Sequence, residues 1–193
     1  MLYSFFLFPF ARRKVLTMSY DDGVPADKRL LEIFKSNGIK GAFHLNSARM
    51  ADKTAEEIVE LYSGQEISCH GKDHYSLNNL PDNSVLQQLI EDRIALEGIC
   101  GSPVRGLSYP NGAFNTAILP ILSAAGIVYS RTTISTQNFN MPENWLLWNP
   151  TCHHNDDIAD KAEKFKALNR PSLSLLYVWG HSYEFDNQNN WHI

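Results

Sequence analysis

Several features that mark large protein classes are scarce or missing in this chain. Its 193 residues contain three cysteines, Cys69, Cys100 and Cys152, which do not make the paired disulfide framework of a small secreted domain. The formal net charge is −4 and there is no block of Lys or Arg, so nothing indicates a nucleic-acid partner. No internal repeat, low-complexity tract or linker interrupts the sequence, which favours a single domain over residues 1–193.

A long hydrophobic run is also missing, although the chain starts with a short one. Residues 1–10 are mostly apolar and are followed by Arg12, Arg13 and Lys14. A membrane span needs about 20 apolar residues, so this stretch is too short. A signal peptide carries its basic residues before the apolar stretch, and here the order is reversed. We therefore expect residues 1–13 to form an apolar N-terminal arm, either a buried strand or a packing arm, and a cytoplasmic location rather than export; a degenerate export signal is the alternative.

The remaining sequence alternates between strand and helix patterns. Its composition, 44% hydrophobic and 20% charged, is ordinary for a soluble globular protein. Helix starts and stops are marked by a capping box at Thr54 and Glu57 and by glycines that precede strands. The predicted strands are 15–20, 39–45, 66–69, 104–109, a strand opening at 126–127, and 173–179; the predicted helices are 27–37, 54–62, 84–99 with Asp82 as its cap, 114–125 interrupted by Pro120, and 156–168.

Alternating strands and helices predict βα units and a largely parallel sheet. The polar residues that could carry chemistry follow four of the predicted strands. Side chains at the carboxyl ends of strands meet at one end of a (β/α) barrel, where active sites lie. We therefore predict an α/β fold of the barrel type, with an open doubly wound sheet as the alternative.

The first chemical signal is a pair of carboxylates and a pair of imidazoles at two strand ends. Asp21 and Asp22 precede Gly23, and alone they are a common solvated turn. His70 and His74 have a ligand spacing if the segment forms one helical turn, and otherwise are two surface histidines. Two histidines and one aspartate suffice for a catalytic metal, because a position must stay open for water and substrate. Imidazole ligands favour zinc, cobalt or nickel over magnesium or calcium.

Two further strand ends carry candidate catalytic groups. Tyr109, Pro110 and Asn111 form a turn in which the Asn111 N–H could hold an oxyanion, because Pro110 has no N–H; a plain turn explains the same residues. His181 follows the last strand and is a candidate general acid, which Glu184 or Asp186 could orient.

Aromatic and histidine residues near these ends are candidate substrate contacts. Trp179 could stack on a sugar, although core packing explains a strand tryptophan equally well. His153 and His154 are expected in the wall of the substrate cavity rather than in a second metal site, because adjacent histidines rarely reach one ion. Asp156 or Asp157 is expected to cap the following helix. His44 lies inside a strand and is expected to be a satisfied interior residue.

Three segments resemble the motifs of the NodB-type polysaccharide deacetylases, the family 4 carbohydrate esterases. Residues 19–23, Ser-Tyr-Asp-Asp-Gly, are similar to the first motif, Thr-Phe-Asp-Asp-Gly. Residues 70–74, His-Gly-Lys-Asp-His, are similar to the second, His-Ser/Thr-x-x-His, and the stretch that ends at His181 is similar to the last, Leu-x-x-His. The similarity covers roughly residues 15–181.

This resemblance implies a distorted (β/α) barrel with about seven strands and a metal-dependent deacetylase that acts on an N-acetylated glycan or a small acetamido sugar. By motif position it implies Asp22, His70 and His74 as metal ligands, Asp21 as general base and His181 as general acid. It implies that Asn111 assists the oxyanion, and Tyr109 and Pro110 become candidate substrate contacts. The implied cofactor is a divalent metal, zinc first, with cobalt or nickel as alternatives.

The chain departs from the family pattern in two places. The third motif is normally Arg-x-Pro-Tyr/Phe, but Ser108 stands where the arginine is usual and Asn111 where the aromatic is usual. The usual arginine orients the base; Arg105 and Arg131 are nearby in sequence. The acidic-aromatic motif that tunes the catalytic histidine is not recognisable, and His153 and His154 lie in its region.

Two other functions fit the same residues. A hydrolase of another amide or ester, such as a cyclic ureide, a formamide or an O-acetyl group, would use the same metal set. A non-catalytic carbohydrate-binding relative would bind glycan without turnover. The presence of both Asp21 and His181 argues against a binding protein, which needs neither a base nor an acid.

Overall fold

The computed structural model describes residues 7–193 and contains one seven-stranded sheet in which all strand pairs are parallel. The strand order is β5-β4-β3-β2-β1-β7-β6. The strands are β1 Lys14–Asp21, β2 Gly41–Leu45, β3 Glu66–Cys69, β4 Gly106–Ser108, β5 Tyr129–Arg131, β6 Cys152–His153 and β7 Ser174–Gly180. The helices are α1 Asp27–Asn37, α2 Ala55–Leu61, α3 Asp82–Cys100, α4 Leu119–Ala124, α5 Ile158–Ala167 and α6 Tyr183–Asn187.

The sheet curls into an incomplete barrel. β5 and β1 are four strand spacings apart in the sheet order, which is about 19 Å in a flat sheet. Yet the side chains of Arg131 on β5 and Asp21 on β1 are in contact, so the sheet must bend around its own interior. The gap between the edge strands is bridged at Trp148, whose N–H donates to Ser130 O over 2.9 Å. The prediction of a distorted barrel with about seven strands is confirmed, and the open doubly wound alternative is wrong.

Packing against this sheet is mainly aliphatic and aromatic. Tyr20, Phe34, Phe43 and Tyr62 are almost completely buried. The Phe43 and Tyr62 ring centroids lie 5.1 Å apart, and the Tyr20 and Phe34 rings meet edge to face at 5.9 Å. This packing fixes the outward face of β1 against α1. The polar residues at the carboxyl end of the strand are thereby held in a defined position.

Several predicted element boundaries differ from the structure. α3 begins at Asp82 with Pro81 in the N-cap position, so Asp82 lies in the first turn and is not the cap. α4 is shorter than predicted because Pro120 fits only in its first turn. Asp157 does occupy the N-cap position of α5, but its φ is 52° and its side chain makes no cap hydrogen bond. The capping box at Thr54 and Glu57 is confirmed.

The N-terminal arm is not a buried strand in the part that the structure describes. Phe10 is 90% exposed and Leu7 is 46% exposed, so the prediction of burial is wrong for residues 7–11. Residues 1–6 of the predicted arm lie outside the described residues. Within residues 7–193, no helix is both long and apolar enough to pass through a membrane.

Candidate active site

A cavity of about 370 Å³ opens at the carboxyl ends of the strands. It brings together six of the residues predicted from the sequence as ligands or catalytic groups, and two of the predicted substrate contacts. Its lining consists of Asp21, Asp22, His70, His74, Tyr109, Asn111, Gly112, Thr133, Trp179, His181 and Tyr183.

The two adjacent carboxylates at the end of β1 face different partners. Asp22 has a φ of 81°, a left-handed conformation that is uncommon for a residue with a side chain and costs about 1–3 kcal/mol. Its N–H donates to His44 O over 3.0 Å, which holds the turn after the strand ends. This bend lets Asp21 point into the barrel while Asp22 points at the two imidazoles.

Asp22, His70 and His74 form a group with the geometry of a metal site. Asp22 Oδ1 lies 3.3 Å from His74 Nε2 and 3.8 Å from His70 Nε2, and the three ligand atoms lie within 4.8 Å of one another. Two ligands of a tetrahedral zinc ion are about 3.3 Å apart, given Zn–N and Zn–O bonds of about 2.0–2.1 Å. His70 Nε2 is buried and has no hydrogen-bond partner among the described residues. A divalent metal ion would give this nitrogen a partner, so the three residues fit a metal ion.

The tautomer of His70 also suits a ligand. Its Nδ1 lies 2.9 Å from Ser108 O, and a carbonyl can only accept, so the Nδ1 carries the proton and Nε2 keeps its lone pair. The segment between His70 and His74 does not form a helical turn, however. Gly71 and His74 have φ values of 71° and 61°, and the two rings lie 4.7 Å apart across a non-helical turn.

Helix α3 holds this turn in place from behind, which the sequence did not indicate. The Asp92 carboxylate accepts the N–H groups of Ser47 (2.8 Å) and His70 (3.0 Å), and its burial raises its pKa to about 6. Four residues earlier on the helix, the Gln88 side chain accepts the Asp73 N–H over 2.9 Å and donates to Asp73 Oδ2 over 2.6 Å. The backbone between the two histidines is therefore fixed at both ends.

Asp21 is a buried carboxylate with a buried cation beside it. Arg131 is 1% exposed, and its guanidinium contacts Asp21 Oδ2, donates to Ser19 Oγ over 2.9 Å and lies over the Trp179 ring, 4.7 Å from its centroid. Burial alone would raise the pKa of Asp21, but Arg131 and then His70 outweigh it and hold that pKa below its ordinary value. The base position is therefore ionised at neutral pH.

Ser108 connects the two halves of the site. Its hydroxyl donates to Asp21 Oδ1 over 3.0 Å and lies 2.6 Å from His70 Nδ1. Since a hydroxyl has one proton, Ser108 accepts from His70 while it donates to Asp21. Ser108 therefore stands where the family pattern has an arginine. The cation beside Asp21 is supplied instead by Arg131 on β5. Arg105 instead binds Gly126 O at the surface, over 3.2 Å.

His181 lies across the cavity with a carboxylate behind it. Its Nε2 lies 4.0 Å from Asp21 Oδ2, and its Nδ1 lies 2.9 Å from Glu184 Oε1. Burial lowers the pKa of His181, but the contact with Glu184 and the charge of Asp21 outweigh burial and raise it. Asp186, the other orienting candidate, accepts the Trp191 indole N–H over 2.7 Å.

His153 and His154 contact Glu184 instead of lining the cavity, so the prediction of a cavity-wall role is wrong for both. Their Nε2 atoms lie 2.9 and 3.0 Å from Glu184 Oε2. These groups are also close enough to hold an ion. Asn155 N–H donates to His153 Nδ1 over 3.2 Å, which places the ring proton on Nε2, facing Glu184. The protonated Nε2 therefore has no lone pair to offer a metal ion.

The predicted substrate contacts divide into two sets. Tyr109 and Trp179 line the cavity, whereas Pro110 does not. Asn111 has a φ of 58°, and the hydrogen bonds of its turn are donated by Gly112 to Tyr109 O and by Ala113 to Pro110 O, so they do not use the Asn111 N–H. Its side chain donates to Ser76 Oγ over 3.0 Å.

Other residues were missed or mistaken at the level of sequence. Thr133 lines the cavity without having been a candidate. Tyr183, which the sequence offers as a sugar-stacking residue beside Trp179, also lines it. His44 is buried as expected, but it is only half satisfied: Nδ1 lies 3.2 Å from Cys69 O, while Nε2 has no partner within residues 7–193. Its burial lowers its pKa to about 3.

Solved structures that share this fold include proteins of the CE4 family and a deacetylase. A CE4-family pseudoenzyme from Bacillus anthracis is 16% identical with a TM-score of 0.61, and the match covers 92% of this chain and 58% of that one. The CE4 domain of a multidomain xylanase from the hindgut metagenome of Trinervitermes trinervoides is 15% identical with a TM-score of 0.60, covering 91% and 77%. A Streptococcus pyogenes deacetylase, PplD, solved with acetate, is 17% identical with a TM-score of 0.57, covering 61% and 55%.

This chain thus spans little more than half the length of the S. pyogenes and B. anthracis proteins. At such identities the likeness establishes the fold. No match was found among curated proteins. A family model described as polysaccharide deacetylase matches residues 11–130, more than half of the chain. This protein belongs to the polysaccharide deacetylase family.

Proposed function

We propose that this chain is a metal-dependent hydrolase that removes N-acetyl groups from an amino sugar or a glycan. The observation that carries the proposal is a convergence in one cavity. A three-ligand group with an unpartnered buried imidazole nitrogen lies beside an ionised carboxylate, and an imidazole backed by a carboxylate lies opposite.

Asp22, His70 and His74 would hold a divalent ion, with zinc, cobalt or nickel favoured by the imidazole ligands. Such an ion, when bound, polarises the acetamide carbonyl and makes water more acidic. Because the protein supplies three ligands, the ion stays open to bind the carbonyl oxygen and water.

Proton transfer falls to Asp21 and His181. Asp21 takes a proton from water as the water oxygen attacks the amide carbon, and its lowered pKa keeps the carboxyl group ionised at neutral pH. The Asn111 N–H donates to the oxyanion that forms. His181 Nε2 then gives a proton to the nitrogen as the C–N bond breaks, which releases acetate and the free amine of the sugar. Arg131 and Ser108 hold Asp21, and Glu184 holds His181.

The test combines metal analysis with acetate release from chito-oligosaccharides. We expect about one bound metal per chain in the wild type, the same in Asp21→Asn, and loss of the metal in His74→Ala. Acetate release should require both Asp21 and His74. Wild-type protein that binds no metal after zinc and cobalt are offered would refute the proposal.

The alternatives give different outcomes in the same assay. Turnover of a ureide, a formamide or an O-acetyl ester without release from N-acetyl sugars would identify a hydrolase of another amide or ester. Glycan affinity without any turnover would identify a binding protein. The ionised Asp21, held by a buried arginine, favours the hydrolase, because a binding surface gains nothing from a buried base.

A further inference from the structure

A closed turn before β1 presents an aromatic side chain to solvent. Phe8 N–H donates to Arg12 O over 2.8 Å, which leaves Pro9, Phe10 and Ala11 at the tip. Phe10 is 90% exposed, and its φ of 61° holds it in a conformation that is uncommon outside glycine. Leu7, which is 46% exposed, lies at the start of the same turn, so the turn presents two apolar side chains to solvent.

The base of this turn is positively charged. Arg12 and Arg13 are exposed, and neither forms an ion pair with an acidic residue of the described chain. An adjoining cavity of about 380 Å³ is lined by Arg13, Lys14 and residues 166–170, without an acidic side chain.

The other cations around this cavity have partners within the protein. Lys14 Nζ donates to Phe165 O, Lys166 O and Leu168 O over 2.8–3.2 Å, at the end of α5. Arg170 binds Phe139 O and Asn140 Oδ1. Arg12 and Arg13 are therefore the two cations at the turn whose charge is available to an outside partner, on a chain of net charge −4.

We propose that this turn docks the protein on a membrane surface that contains anionic lipids, with Phe10 in the interfacial region and Arg12 and Arg13 on lipid phosphates. Aromatic side chains favour the interface because one ring can contact both acyl chains and headgroups. Arginine binds phosphate oxygens with two parallel N–H donors. An apolar element together with basic residues is the combination that holds a peripheral protein on an anionic bilayer.

Docking by this turn would orient the cavity away from the lipid. The turn precedes the N-terminal end of β1, and the cavity lies at the other end of that strand. Eight residues of strand span about 26 Å. The candidate site would then face substrate held about 26 Å from the bilayer surface, rather than the bilayer itself.

The experiment is co-sedimentation of the full chain with vesicles of phosphatidylcholine alone or of an equimolar mixture with phosphatidylglycerol. We expect binding to the mixed vesicles that weakens as salt is added. Arg12→Gln/Arg13→Gln should weaken that binding about 30-fold, because each basic residue near an anionic surface contributes about a factor of five. Phe10→Ser should weaken it at least about tenfold, because its ring loses contact with apolar surface.

Lys28→Gln/Lys53→Gln is the charge-matched control, because both lysines lie beyond the carboxyl-terminal end of the sheet. This variant should bind like the wild type. Equal sedimentation of the wild type with both vesicle types would overturn the proposal, as would an equal loss in the lysine control or no loss in Phe10→Ser. All of these readouts are independent of acetate release, so they do not depend on the proposed activity.

Discussion

Replacing Arg131 with methionine should change both the stability of the protein and the pH dependence of its activity. Methionine keeps an apolar stem near Trp179 and removes the charge beside Asp21. Removing one partner of a buried ion pair costs about 3–5 kcal/mol, because the other charge is left without compensation. A domain is stable by about 5–15 kcal/mol, so the loss should be large in urea unfolding.

The pH effect follows from the sign of the Asp21 shift. In the wild type the folded pKa of Asp21 is held below its ordinary value, so its contribution to stability is present above the unfolded pKa and is lost as the pH falls through the folded pKa. Without Arg131, burial dominates and raises the folded pKa above the unfolded one. Stability should then fall as the pH rises between those two values, which reverses the wild-type trend.

Activity should report the same change, because in the proposed mechanism Asp21 must be ionised to accept a proton from water. We expect the acidic limb of kcat/KM for acetate release in Arg131→Met to move up by about 1–3 pH units. Arg105→Met is the matched control, since Arg105 lies at the surface, and it should leave the limb unchanged. Adding Asp21→Asn to Arg131→Met should restore part of the stability while the protein stays inactive. An acidic limb and an unfolding midpoint equal to those of the wild type would refute this reasoning.

Two further predictions concern residues that position the site. Glu184→Gln removes the charge that helps to raise the pKa of His181, so the alkaline limb of kcat/KM should move to lower pH; Asp186→Asn, which changes an acid on the same helix without a contact to His181, should not move it. Gln88→Ala should lower metal affinity about 10–100-fold, as loss of a residue that orients ligands does, in a chelator competition at a temperature well below unfolding. Gln87→Ala, at the exposed neighbouring position, should match the wild type, and an equal effect of the two substitutions would contradict a positioning role for Gln88.

The sequence was sufficient for the parts of the site that are local. Asp21, Asp22 and His70 follow strands directly, and the carboxyl ends of parallel strands meet at one end of the sheet. The apolar runs that end near residues 20 and 69 were enough to place these strands. The location of the cavity could therefore be predicted from the strand ends alone, without knowing any distance between residues.

Residues that act through the curl of the sheet could not be predicted in the same way. Arg131 lies a few residues after the predicted opening of a strand at 126–127, but only the bend that brings β5 towards β1 places its guanidinium on Asp21. Glu184 and Asp186 were equally good partners for His181 until α6 turned one towards it and the other towards Trp191. The conformation of the turn between His70 and His74 could not be predicted, because its left-handed residues have no sequence signal apart from Gly71.

The long separations within the site also impose an order on its assembly. Asp21 and Arg131 are 110 positions apart, and Ser182 reaches Asp27 across 155 positions. Contacts between such distant residues require most of the chain to be in place, whereas the ligand group spans residues 22–74. During folding, the three ligands can therefore meet while Asp21 is still hydrated and has an ordinary affinity for protons. Asp21 acquires its low pKa only when β5 closes against the interior, so under the proposed function the metal ligands can come together before the site is competent for chemistry.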